Sequence, residues 1–393
     1  MYEELIFSPQ TLHNHASCIV ECPNGDLLVC WYRGSGERSA DDVKVYGSRL
    51  RDGNTVWSEP FIMADTIGFP DTNPCMIIDR EERLWLFWQT IISNEWMSAL
   101  AKYKTSCEYM QAAPSPIWSC EKVMHLKPGN EFLKIMARDL DRQWASCLSE
   151  AQGVELERRI KEQAYRHNLA TNKLNIRLGW MTRAHPFLFR DTRDKRLIVP
   201  MYSDGFDFSL MAITDDSGAT WQVSEPVVGA GNVQPSIAER RDGTLVAYFR
   251  DNGPAPKRVM QCESTDRGIS WTSPYDNDLP DPGAGLEVLV LKSGRWILIN
   301  NDTEHGRHSL ALTVSEDEGL TWPYKLHLEH DEKGPLARSC SYPSIIQAQN
   351  GEIHATYSCS YPQTDNAKYE VKGESIKHVR LSEEWLITHM VQR

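Results

Sequence analysis

Tyr342-Pro343-Ser344-Ile345-Ile346-Gln347-Ala348-Gln349-Asn350-Gly351-Glu352-Ile353 runs from a short apolar stretch through a polar turn holding Gly into a second apolar stretch. Five other segments have the same shape. Gln234-Pro235 leads through Ile237 and Ala238 to Gly243 and Leu245-Val246. Asn73-Pro74 leads through Met76-Ile77-Ile78 to Leu84-Trp85-Leu86, and His185-Pro186 through Phe187-Leu188-Phe189 to Leu197-Ile198-Val199. His15-Ala16-Ser17 leads to Leu27-Leu28-Val29, and Gly285-Leu286 to Trp296-Ile297-Leu298. Two apolar runs across a Gly-bearing turn are the signal of a β-hairpin.

A second repeat is interleaved. Thr214-Asp215-Asp216-Ser217-Gly218-Ala219-Thr220-Trp221 is copied at Ser264–Trp271 and at Ser315–Trp322, so the three tryptophans stand about fifty residues apart. That is the period of a four-stranded propeller blade. Asp216, Asp266 and Asp317 shape tight turns, and each Trp packs between sheets. Weaker relics end at Trp57 and Trp118. The expected fold is all-β, a six-bladed propeller of four-stranded antiparallel sheets, read as a single domain over residues 1–393. Residues 3–8 are expected to close the ring against the last blade, which removes exposed sheet edges. Asp276–Gly285 reads as a turn-rich connection, and blade six as taking Ser341 to the end of the chain.

The period breaks once. From about 130 to 175 the chain is rich in Ala, Leu, Glu, Arg and Gln and has no Pro. Leu133, Ile135, Met136, Leu140, Trp144 and Leu148 fall near helical spacing, and Glu155 to Glu162 supply a charged face. This predicts a helical hairpin inserted between blades two and three, as an oligomer contact or a rim over the site.

The formal net charge of −12 disfavours a nucleic-acid partner, and no apolar run reaches membrane-spanning length. The ten cysteines show no CxxC pair, which reads as free thiols in a reducing cytoplasm. The start of the chain lacks the pattern of a signal peptide. The histidines show no metal-ligand spacing, so no metal and no cofactor is expected.

In a propeller the innermost strand of each blade lines the central channel. The repeat starts therefore form one constellation: His15, Asn73, His185, Gln234, Gly285 and Tyr342. The second strands add Tyr32 or Arg33, Gln89, Tyr202, Arg250, Asn301 and Ser358, with Arg183 and Arg307 nearby in the repeat frame. Buried arginines can equally be inter-blade ion-pair partners, and a buried Tyr a hydrogen-bonded core residue.

The eight-residue repeat is the Asp-box pattern, and the chain resembles the sialidase superfamily over nearly its whole length. The resemblance implies a carbohydrate substrate. Ser341-Tyr342-Pro343-Ser344 is similar to the segment that carries the family's nucleophilic Tyr. Phe249-Arg250 and Gly306-Arg307-His308 are similar to segments that carry carboxylate-binding arginines. Two places depart from the family. His15-Ala16-Ser17 stands where another arginine is usual, and Gln234 where the Glu that activates Tyr is usual. Gln cannot take up a proton. The acidic loop is represented by Glu37, Asp41 and Asp42. The expectation is an exo-acting glycoside hydrolase on a terminal acidic or uronate-linked sugar. Tyr342, His15, His185, Glu37 and Asp42 are the catalytic candidates. Arg250, Arg307, Arg183, Gln234, Asn73, Asn301 and Tyr202 are the substrate-binding ones. A uronate-specific lyase and a non-catalytic sugar-binding propeller are the alternatives.

Overall fold

A computed structural model describes residues 1–362 and 371–393. Its strands form six antiparallel sheets, one per repeat, so the propeller read from the sequence is the fold. The inner strands of blades one, two, four and six are His13–Glu21, Asp71–Ile78, Asn232–Glu239 and Ser339–Gln347. Blade five opens with Glu287–Val290, and blade three with the two-residue strand Phe187–Leu188. Tyr2–Leu5 pairs with Val371–Ser382 and supplies the outer strand of blade six, closing the ring as expected.

Each Asp-box ties its own turn. Asp317 accepts the Thr321 amide at 2.8 Å and the Thr321 hydroxyl at 2.6 Å, while Ser315 Oγ accepts the Gly319 amide at 2.9 Å. Gly319 has φ +82°, and a Cβ there would stand 2.9 Å from the Trp296 ring, so only glycine fits. The same bonds recur at Asp216 and Asp266. The box tryptophans seal the joints between blades: Trp221 packs edge-on against Trp85 and Phe87 of blade two, and Trp322 against Tyr248 of blade four.

Three readings need correction. Asp276–Gly285 is not all connection, because Tyr275–Pro280 is the outer strand of blade four. An outer strand pairs on one side only and tolerates such polar sequence. Blade six does not take the chain to its end. Helix α4 (Glu383–His389) turns it, and Val391–Gln392 adds a fifth strand to blade five. Cys340 and Cys359, cross-strand partners in blade six, form a disulfide rather than free thiols.

Two helices and a short third, α1 (Phe132–Glu150), α2 (Gly153–Leu169) and α3 (Lys173–Arg177), lie between the strands of blades two and three. Phe132, Met136, Leu140 and Trp144 of α1 and Leu169 of α2 are buried in one cluster with Trp180, Phe206 and Phe208. No helix among the described residues is long and apolar enough to cross a membrane.

Candidate active site

Four inner strands carry the same irregularity. A register shift in the pairing with the second strand falls at His15/Cys18, Thr72/Cys75, Val233/Ser236 and Ser341/Ser344. Inside each bulge one residue is left-handed: Ala16, Asn73, Gln234 and Tyr342, with φ between +47° and +57°. Such a bulge re-aims side chains, and backbone strain held at a site is a sign of function. Proline follows three of the four and gives up an amide that the bulge leaves unpaired.

The bulges gather the site. Tyr342 Oη accepts the Arg250 guanidinium at 2.8 Å and Gln234 Nε2 at 3.1 Å. Gln234 Nε2 also reaches Tyr202 Oη at 3.2 Å, and Asn73 Nδ2 reaches the same oxygen at 3.3 Å. The guanidinium carbons of Arg183 and Arg307 lie 5.0 and 5.3 Å from the centre of the Tyr342 ring. The His15 ring stands 4.2 Å from the same centre. Gly285 leaves room for the set, since a Cβ there would be 3.1 Å from Arg183 Nε and 3.4 Å from the Tyr342 ring. The structure thus brings together His15, Tyr342, Arg183, Arg250, Arg307, Gln234, Asn73 and Tyr202.

The charges are unusual. Arg183, Arg250 and Arg307 form no ion pair among the described residues, and Arg183 Nε and Nη1 and Arg250 Nε are buried without a hydrogen-bond partner there. Buried guanidinium N–H groups without acceptors are costly, so Arg183 and Arg250, with half-buried Arg307 beside them, predispose the site to an anion. Burial works against ionising Tyr342, but the charges of Arg250 and Arg307 outweigh it and hold the phenol below its ordinary value. Burial, reinforced by the neighbouring cations His13 and Arg307, holds His15 well below its ordinary value, as a neutral imidazole.

Four expected site residues are otherwise engaged. Glu37 accepts Tyr32 Oη at 2.9 Å and pairs with His13 at 3.2 Å. The hydrogen bond from His13 takes its carboxyl down to about 2, so it is ionised and holds no proton to give. Asp42 caps the Ser35 amide and hydroxyl on an exposed loop. Asn301 is fully buried, with its amide spent on the Ser309 and Cys340 carbonyls. His185 is bound to Glu287 and to the Ile19 carbonyl, each at 2.7 Å.

Asp204 is the carboxylate that the sequence reading missed. It lies just past the second strand of blade three, two residues after Tyr202, and part of it is exposed to solvent. Protein packed around its other sides withdraws water and pushes the carboxyl up to about 6, while Arg250 pulls the other way. Asp204 in turn bears on Arg250, Tyr202 and Tyr342. The insertion also touches the site. Arg166 of α2 binds Asp207 at 2.6 Å, Asp207 accepts Asn252 at 2.8 Å, and Asn252 accepts Arg250 at 3.0 Å.

The His13 clasp gives a pH prediction. Burial disfavours the charge on His13, but Glu37 and Glu374 on either side raise it to about 9. Its folded value is raised, so its stabilisation is complete below 6.5 and is lost as pH rises through about 9. Glu37 is depressed, so its share is complete above 4.5 and is lost as pH falls through about 2. The clasp should be strongest between those limits. An NMR titration should put the His13 midpoint near 9, and an ordinary midpoint would contradict the clasp.

The model of the BNR repeat-like domain matches residues 25–138 and 142–355, most of the chain. The chain belongs to the BNR repeat-like family. A sialidase of Bacteroides fragilis is 26% identical over 134 residues, a match covering 32% of this chain and 24% of that protein. The BNR chain therefore spans about a quarter of that relative. Among solved structures, a protein of unknown function from Dyadobacter fermentans superposes with TM-score 0.68 at 14% identity, covering 97% of each chain. The leech intramolecular trans-sialidase gives TM-score 0.68 at 12% identity over 98% of this chain and 71% of its own. An α-L-arabinofuranosidase of Fusarium graminearum gives 0.59 at 13%, covering 98% and 99%. At these identities the likeness is one of fold, and the BNR propeller is of the sialidase type.

Proposed function

We propose that this BNR propeller is a carbohydrate-active enzyme, an exo-acting glycoside hydrolase on a terminal sugar that bears a carboxylate. The observation that carries the proposal is the convergence of three guanidinium groups, free of ion pairs among the described residues, on the single phenol of Tyr342. In this reading the arginines clamp the sugar carboxylate and set the anomeric carbon against Tyr342 Oη. Tyr342 attacks as phenolate. Gln234 cannot act as its base, but its N–H and the Arg250 N–H both point at the oxygen and stabilise the negative charge. Asp204 protonates the leaving oxygen and then takes a proton from the water that releases the sugar. Incubation of the purified protein with sialyl and glucuronyl disaccharides, followed by NMR, tests the proposal. Release of the terminal acid supports it, and intact substrate with no product after long incubation overturns it.

Asp204 gives the pH test. It acts as an acid only while protonated, so kcat/KM should fall as pH rises through about 6. Asp204→Asn should lower the rate by about 10²–10⁴-fold and abolish that limb. A variant that keeps the limb would remove Asp204 from the role.

One observation favours a second reading, elimination. The His15 imidazole packs against Tyr342 beside the arginines, a place from which it can remove a proton next to a carboxylate that they neutralise. An unsaturated uronate product would establish that course in place of hydrolysis.

A further inference from the structure

The inner strands line an open cavity of about 670 Å³ at the end away from Tyr342, with Ile237, Val288 and Ile345 on its walls. His185 and Glu287 line it. Cys18, on the inner strand of blade one, is buried against His185 and does not itself line the cavity, so His185 stands between the two. Its Sγ is 3.4 Å from His185 Nε2 and accepts the Met76 amide at 3.2 Å. His185 donates Nδ1–H to Glu287 Oε1 and Nε2–H to the Ile19 carbonyl, each at 2.7 Å. Glu287 is already an acceptor for the His185 and Ile345 amides, at 2.7 and 2.9 Å. With acceptors on both ring nitrogens, His185 is held as an imidazolium, and its charge favours a thiolate on the sulfur beside it, which also lies 3.8 Å from the Met76 carbonyl.

The charged and titratable groups around Cys18 are His185, Glu287, Cys30 and Cys75, with Arg183 beyond Glu287. Burial opposes ionisation of Cys18, but the hydrogen bond with Cys30 and the charge of His185 outweigh it, against Glu287. Burial, together with Cys18 itself, keeps Cys30 and Cys75 protonated. Arg183 steadies Glu287 from the other side. Cys30 is the cross-strand partner of Cys18. Cys340 and Cys359 stand in the same relation in blade six and are bonded to each other.

We propose that Cys18 is the nucleophile of a second reactive site, which exchanges with small disulfides and passes the oxidation to Cys30. The Cys18 thiolate attacks one sulfur of R–S–S–R, that bond breaks, and a thiolate RS⁻ leaves. Cys30 gives its proton to the departing thiolate and attacks the Cys18 sulfur, and the second RS⁻ leaves and is protonated from solvent. The two protein thiols are oxidised and one small disulfide is reduced to two thiols. This site is independent of the Tyr342 chemistry.

The test uses the full chain, hydroxyethyl disulfide as a compact neutral probe, an acid quench and peptide mass mapping. The expected product is a Cys18–Cys30 linked peptide, and Cys30→Ser should trap the mixed disulfide on Cys18. Exposed Cys107 reports that the probe is active. Between about pH 8.5 and pH 6.5 the thiolate fraction of a free cysteine falls about fifty-fold, whereas the Cys18 rate should change by no more than about two-fold. Modification confined to Cys107, an adduct on Cys18 that persists with Cys30 intact, or a fall beyond about ten-fold overturns the proposal.

Discussion

Replacing Tyr342 with phenylalanine is expected to reduce turnover of an acidic glycoside by about 10³-fold or more, the scale on which a reacting group is lost. The ring stays, so the packing of His15 and the two arginines around it stays too. What goes is the oxygen on which Arg250 and Gln234 converge. Both donors then lack an acceptor, at a cost of about 1–3 kcal/mol in stability. Kinetics and thermal melting separate the two effects. A merely structural phenol would lose stability with turnover nearly intact. The account predicts a protein that still folds, with a modestly lowered melting point, and is inert. A Tyr342→Phe enzyme within about ten-fold of the parent would remove the phenol from the chemistry.

The second large effect is on the fold. Glu287 is buried and holds three donors: the His185 amide, the His185 ring and the Ile345 amide. These come from blades three and six, so one carboxylate on blade five joins three blades across the axis. Glu287→Ala should cost about 3–5 kcal/mol, because it strands the His185 charge in the channel. That is a large share of a typical folding stability of about 5–15 kcal/mol. Glu287→Gln keeps one acceptor oxygen and should cost less. Burial disfavours the carboxylate, yet His185 holds it below 4.5, so its contribution is present above 4.5 and fades as pH falls. His185 is raised well above 6.5 despite its burial, so its share is present below 6.5 and fades as pH rises. Denaturant midpoints of the two variants check this, and a loss under about 1 kcal/mol for the alanine variant would contradict it.

The sequence disclosed the ring because each blade repeats its hairpin and three blades repeat the Asp-box, and both patterns are local. It disclosed Tyr342, Gln234, Asn73 and His15 for the same reason, since each opens an inner strand. It could not disclose which way those side chains turn. That depends on bulges whose left-handed residues no composition rule marks, apart from the proline after three of them. Asp204 was missed because it lies past the end of a strand, and its approach to Arg250 is set by the turn from Ser203 to Phe206. The usable signal was its place two residues after Tyr202. Glu287 was hidden beside Val288-Leu289-Val290, where an apolar run reads as core, yet a lone carboxylate in such a run needs a buried partner. From their places in the repeat Asn301 reads as a substrate contact and His185 as a catalytic group, but the fold engages Asn301 with the Ser309 and Cys340 carbonyls and His185 with Glu287 and the Ile19 carbonyl. The cross-strand register likewise pairs Cys340 with Cys359, which their spacing in the chain does not suggest.

The central claim is that Arg183, Arg250 and Arg307 hold a carboxylate against Tyr342. A crystal soaked with glucuronic acid or N-acetylneuraminic acid tests it most directly. The account predicts a sugar whose carboxylate lies within about 3 Å of at least two of the three guanidinium groups, with the anomeric carbon facing Tyr342 Oη. A sugar bound with its carboxylate turned to solvent, or seated away from these arginines, would contradict it.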